Sequence, residues 1–304
     1  MKEKLRINPI LKKEMMVGSR SMKMSWAIMA ISGILSAIVT FVLIISNLTS
    51  SYDGYSYESL IILFPILGCT ECGLLSLMIP VITSSSISGE REKQTLDIML
   101  TTPMSPYAIV KGKLWSAMMI VMMYMIASIP VMAIAFILGG LSWWNIVGLF
   151  IMLIYLGIYV GSVGIFCSSV VKKSVAATIL TIVIGIGIIL GTVLIFFTTY
   201  SVIQAYYMSS GIGYFDEPYG LALIFLVNPY SPIVDFLIRA MSNSSLFDIV
   251  SANSVGGIIG FIYRFWIPIS MIINLLIARG FLKLAAKKLN AGTKKVKAGK
   301  TGKG

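Results

Sequence analysis

Six runs of about 20 apolar residues organise the chain, at 25–46, 60–82, 115–138, 146–171, 178–200 and 257–282. Each is long enough to cross ~30 Å of hydrocarbon as an α-helix, since every residue advances about 1.5 Å. The runs are apolar all round rather than striped, which suits helices surrounded by lipid and by one another. The pattern predicts an all-α integral membrane protein with six transmembrane helices. The first run is too long for the apolar core of a cleaved leader and reads as a retained helix. Residues 201–256 are different. Their apolar pieces, 221–227 and 236–238, are broken by Asn228-Pro229 and Ser231-Pro232, and neither can cross alone. They read as short external helices, between the fifth and sixth spans, that dip into the outer leaflet.

Composition agrees with this picture. Charged residues make up 12% of the chain, about half of what a water-facing surface carries. There are 24 Lys+Arg against 12 Asp+Glu, a net +12. Such an excess could signal nucleic-acid binding, so the placement of the charges decides. All the basic residues except Arg239 and Arg264 fall before the first span, in 83–114, at Lys172-Lys173, or from Arg279 onward. The positive-inside rule then puts both termini in the cytoplasm of a multi-pass protein of the cell membrane. The excess is topology, with the lipid bilayer and not nucleic acid as its partner. Merging 221–238 into a seventh span would place the lysine-rich tail outside, against that rule.

The composition also removes chemistry. The chain has no histidine, so there is no Ser-His-Asp triad, imidazole acid/base or His-held metal. Cys69, Cys72 and Cys167 lie in apolar stretches and imply no disulfide framework. No catalytic constellation and no metal-ligand cluster emerges, so the chain does not read as an enzyme. Gly299-Lys300-Thr301 mimics the end of a P-loop, but Lys294 stands where that loop needs glycine, and no strand precedes it. The tail, 283–304, reads as solvated and basic, within reach of anionic lipid.

The second basic loop, 83–114, is too long and too patterned for a simple connection. Residues 90–100 suit a short helix with its acids in the first turn, matching the dipole. Leu96, Met99 and Leu100 fall at i, i+3 and i+4 and form one apolar stripe. Pro103 stops this helix, and Ser105 with Pro106 suits the start of the next. An exposed apolar stripe wants a partner. The bland alternative is an interfacial helix lying on lipid, which anionic headgroups would disfavour beside Glu90 and Glu92.

Residues 90–105, E-R-E-K-Q-T-L-D-I-M-L-T-T-P-M-S, closely resemble the cytoplasmic loop between the second and third of six helices in ABC type-2 permeases. The start, Asn8-Pro9-Ile10-Leu11-Lys12-Lys13-Glu14, is similar to the amphipathic helix that precedes the first span there, and would make 1–24 such a helix. Asn228-Pro229-Tyr230-Ser231-Pro232 is similar to an element after the fifth span. Met99 departs from the leucine of many members, a volume-conserving change. The resemblance implies a six-helix domain at 25–282 with a cytoplasmic coupling helix that sits in a groove of a separate ATPase subunit. Leu96, Met99 and Leu100 would be apolar anchors, with Thr95 and Pro103 as part of the matched motif. Glu90, Arg91 and Glu92 would form the polar hinge to the second span. ATP and Mg would be bound by the partner ATPase, with no cofactor in this chain, and a second permease subunit, identical or similar, would complete the pathway.

Glu71 is the one acid inside a span, and an ionisable group there is a functional candidate by default. It could line the pathway, bind a proton, or pin helices by hydrogen bonding while neutral. An ATPase-independent, ion-coupled transporter or channel built on Glu71 is the competing reading, and it leaves the patterned loop without a task. Cys69-x-x-Cys72 has redox spacing but reads as packing within one membrane helix. Glycines four apart, at 157/161, 187/191 and 256/260, read as close helix packing rather than as a pathway lining.

Overall fold

A computed structural model describes residues 22–49, 60–96, 105–139, 142–211, 219–242, 245 and 258–301. Among them the chain is helical, and six helices are long and apolar enough to cross a membrane. They are α1 (Met22–Thr49), α2 (Leu63–Glu92), α3 (Pro106–Gly139), α4 (Trp143–Val170), α5 (Ser174–Ser209) and α9 (Trp266–Thr301). The short α6 (Tyr219–Ala222), α7 (Ser231–Ser242) and α8 (Ile258–Arg264) lie between α5 and α9. The expected N-terminal amphipathic helix, 1–24, falls almost wholly outside the described residues.

Local chemistry sets several boundaries. Ser105 accepts from the amide of Ala108 at 3.2 Å and Pro106 opens α3, as its sequence suggested. The Ser142 side chain caps α4 through the Trp144 amide. The expected sixth span, 257–282, is divided: α8 ends at Arg264, and α9 starts at Trp266. Pro268 has no N–H for the carbonyl of Arg264 and its ring crowds that carbonyl, and the helix breaks there, whereas α2 and α3 run on through Pro80 and Pro130. At its other end α9 continues unbroken to Thr301, so the helix does not stop at the expected tail boundary. Hydroxyls inside the spans bond back to the preceding turn, as in Thr70 to Ile66, Ser76 to Cys72 and Thr192 to Ile188. This satisfies them where no water is at hand.

The helix α4 is the axis of the bundle, packed by α2, α9, α3, α5 and α7. In its most apolar stretch 61% of residues are buried, against 17% for α1 and 11% for α5. Glycine explains the close approach. A Cβ at Gly157 would come within 2.8 Å of Met118 Cε, and one at Gly161 within 2.8 Å of Leu114. One at Gly164 would collide with the Thr83 hydroxyl and its Cβ. The expected packing role thus holds for Gly157 and Gly161. It does not hold within this chain for Gly187 and Gly191, whose added Cβ atoms would meet nothing within 4 Å.

The pieces 220–227 and 231–242 meet at a bend of 108° and form a hairpin. Its tip must satisfy its own polar groups, because irregular backbone at membrane depth survives only inside protein or water-lined space. Asn228 Oδ1 accepts from the Tyr230 amide at 3.0 Å, and its Nδ2 donates to Thr192 of α5 at 2.9 Å. The Tyr230 hydroxyl reaches Ser76 of α2 at 2.8 Å. The carbonyl of Leu226 accepts from Ser270 and Asn274 of α9, at 3.1 and 2.9 Å. The stretch Leu226–Tyr230 is therefore a junction of three spans.

Gly164→Val should lower the thermal stability of the purified chain by about 1–3 kcal/mol through overpacking against Thr83. Gly187→Val should leave the melting temperature within a degree or two of wild type, because nothing in the chain opposes it. Thermal unfolding in detergent, followed by intrinsic tryptophan fluorescence, measures both.

Candidate functional site

The motif Glu90-Arg91-Glu92 does not open a helix of its own. It is the last turn of α2, which closes at Lys93 with Gln94 in the left-handed region at φ 57°. The Thr95 amide bonds the Glu90 carbonyl at 2.9 Å and the Gln94 amide bonds that of Arg91 at 3.1 Å. This paired pattern is a Schellman ending, here with glutamine in the position that usually takes glycine. The expected placement of the acids in a first turn is thus corrected. They stand at the negative end of a helix dipole, where carboxylates are disfavoured, so other partners must hold them.

Those partners lie on three different helices. Glu90 Oε1 meets Lys113 Nζ of α3 at 3.3 Å, and its Oε2 takes the Thr95 hydroxyl. Arg91 donates to the carbonyls of Val171 at 3.2 Å and Ser169 at 3.4 Å, which capping of α4 would otherwise leave open. The Glu92 carboxylate accepts from the Ser174 amide at 2.8 Å and its hydroxyl at 2.6 Å, at the positive start of α5. Three consecutive residues therefore tie the end of α2 to α3, α4 and α5. Further bonds reinforce the joint one and two turns earlier. The Ser168 hydroxyl of α4 accepts from the amides of Ile87 and Ser88, both at 2.9 Å. Ser84 and Thr178 hydroxyls, on α2 and α5, lie 2.5 Å apart.

Beyond this joint, Thr95 is half-buried, and Leu96 is half-buried against the core of the bundle. Met99, Leu100 and Pro103, the remaining members of the loop motif, lie outside the described residues. Lys113, Ser168, Ser169 and Ser174 complete the joint and escaped the sequence reading. Lys113 carried a usable signal, because it sits seven residues inside an apolar helix and needs a counter-charge there.

The intramembrane candidate Glu71 is only 2% exposed. It faces Ser128 of α3, whose hydroxyl donates to Glu71 Oε1 at 2.5 Å and lies 2.8 Å from the Met125 carbonyl. A hydroxyl carries one hydrogen, which Ser128 shares between these two acceptors. Glu71 Oε2 has no partner among the described residues. The geometry is that of a pin between α2 and α3. Cys69 is exposed and Cys72 buried on the same helix, and both are free thiols. Among the described residues no cluster could hold a metal ion.

Asp235 on α7, within the segment expected to be external, is fully buried. It is held by Arg239 Nε at 2.9 Å and Ser245 Oγ at 2.8 Å. An acid and an arginine four apart in an otherwise apolar helix were the sign that could have found it.

A family model described as ABC-2 family transporter protein matches residues 9–240. The chain belongs to this family and is a membrane component of an ABC transporter. No curated protein matches it.

Glu71→Gln keeps an oxygen that accepts from the Ser128 hydroxyl, so it should leave stability within about 0.5 kcal/mol of wild type. Glu71→Ala and Ser128→Ala should each cost about 1–3 kcal/mol, since each leaves a buried polar partner unmet. Thermal unfolding in detergent reads both, and a collapse of Glu71→Gln would contradict the pin.

Proposed function

We propose that the chain is the permease subunit of an ATP-driven exporter, coupled to separate ATPase subunits through the segment that follows Glu90-Arg91-Glu92. The observation that carries this reading is the three-way joint itself. A displacement of the chain at Thr95 and Leu96 acts on Glu90, Arg91 and Glu92 together, and through them on α3, α4 and α5. Leu96, Met99 and Leu100 are the anchors in the ATPase groove, with Thr95 and Pro103 bounding them. Differential binding of this loop to the open and closed ATPase states biases the bundle between inward- and outward-facing forms.

The rest of the reading follows from charge and exposure. Lys93, Lys111, Lys172 and Lys173 gather at the end of the bundle that holds this joint, which makes that end cytoplasmic in the plasma membrane and puts both termini there. ATP and Mg belong to the partner subunits, and this chain supplies no catalytic group. A single six-helix chain encloses little pathway, so two permease subunits, identical or similar, work together above two ATPases. Glu71, buried and pinned to Ser128, is poorly placed for the competing ion-coupled mechanism, which would need it to face a pathway.

Two substitutions separate anchoring from transmission. Leu96→Asp should abolish co-purification of the ATPase subunit with the tagged chain. Glu92→Ala should retain the ATPase but lose the change in hydrolysis rate that assembly with the permease brings. If Leu96→Asp keeps both association and transport, the coupling role of this loop is wrong. A clean chain with no ATPase, active in transport and silenced by Glu71→Gln, would instead favour the ion-coupled mechanism.

A further inference from the structure

The outward face of α9 changes character along one continuous stripe. Ile272 and Leu276 are 58% and 63% exposed, facing lipid within the apolar part of the helix. Arg279, Lys283 and Lys287 follow on the same side and are exposed too. At ~100° per residue these five positions fall within about 80° of one another. The adjoining side, Ala278, Leu282, Ala285, Ala286 and Leu289, is buried against the bundle, so the helix is held in a fixed rotation with its cations left exposed.

Depth is fixed by the neighbouring helix. Phe281 packs its ring 5.5 Å from that of Phe166, one turn before the end of α4. Arg279 and Lys283 flank that level, and Lys287 lies about 6 Å farther along the axis than Lys283. The three cations thus emerge where the hydrocarbon ends, on a face that a turn earlier contacts acyl chains. Among the described residues nothing at this end neutralises them. They form no ion pair among the described residues. Glu90 and Glu92, the acids described at this end, are committed to Lys113, Thr95 and Ser174.

We propose that Arg279, Lys283 and Lys287 form a docking site for the phosphate headgroups of anionic phospholipids in the leaflet at this end of the bundle. The acyl chains of the same lipids lie along Ile272 and Leu276. Arg279 takes the phosphate with its planar fork, and the two lysines extend from their aliphatic stems to neighbouring headgroups. Such a site clamps α9 to lipid on one side while its other side grips the bundle. It involves neither nucleotide nor ATPase, so it stands or falls separately from the coupling proposal.

The test uses the full chain in neutral detergent, titrated with phosphatidylglycerol and with phosphatidylcholine, with bound lipid counted by native mass spectrometry. Phosphatidylglycerol should be retained in preference. Each cation near an anionic surface contributes about fivefold, so Arg279→Gln/Lys283→Gln/Lys287→Gln should weaken phosphatidylglycerol binding on the order of a hundredfold. The same variant should leave phosphatidylcholine binding unchanged, and an unaltered melting temperature in phosphatidylcholine will show that it is folded. Lys111→Gln/Lys288→Gln, two exposed cations off the stripe, should lose far less per charge. Equal retention of the two lipids, an undiminished triple variant, or equal losses per charge in both variants would overturn the site. So would a triple variant that keeps phosphatidylglycerol but sheds a co-purifying ATPase, since the stripe would then serve a protein.

Discussion

Hydrocarbon offers no hydrogen bonds, and the whole architecture answers to that constraint. A backbone group left open at membrane depth costs several kcal/mol, so each departure from a straight helix has to be paired by protein. The hairpin tip shows how fully this is done. Its turn at Leu226–Tyr230 is bonded internally by the asparagine and externally to Thr192, Ser76, Ser270 and Asn274. The opposite end obeys the same rule in a wetter setting, where the carbonyls that finish α4 are taken by Arg91 and the amide that starts α5 by Glu92. Breaks in the helices are thus the places where helices are joined to one another. Structure and transmission share the same bonds.

Packing divides the labour differently. The glycine-faced α4 lets α2 and α3 approach until a single added carbon would collide, and dispersion between close surfaces is what holds membrane helices together when lipid is as apolar as they are. That part of the bundle behaves as one block. The polar contacts are fewer and act at points, at Glu71–Ser128 within the span and at the Glu90–Glu92 joint beyond it.

Much of this was legible in the sequence, for reasons specific to each feature. Span length and the absence of charge fixed six helices, because the bilayer imposes its thickness on them. Ser105-Pro106 announced the start of α3 through cap chemistry. The glycine spacing revealed close packing at 157 and 161 but could not say which glycines lacked a partner, because a spacing names a face and not its neighbour. The position of Glu90-Arg91-Glu92 was misread for a physical reason. Acids ahead of an apolar stripe are what a helix start requires, and only tertiary partners at Lys113, Val171 and Ser174 make the same residues tenable at a helix end. The break before α9 was written in Pro268, yet a proline near the edge of an apolar run is equally compatible with a kink. Asp235 was missed because hydropathy counts an acid as external unless its partner is considered with it.

These features single out α5. It is 36 residues long, yet only 11% of its most apolar stretch is buried, and Gly185, Gly187 and Gly191 have open space where a side chain would be. What fixes it against α2 and the hairpin is a set of polar contacts: Glu92–Ser174 and Ser84–Thr178 near its start, and Asn228–Thr192 in its middle. Close-packed interfaces resist small displacements because they must break many weak contacts together. A helix with a small buried share has fewer such contacts to break, so its directional bonds carry more of what holds it. The last turn of α2 holds the first of these contacts directly, so a change there reaches the span whose most apolar stretch is least buried.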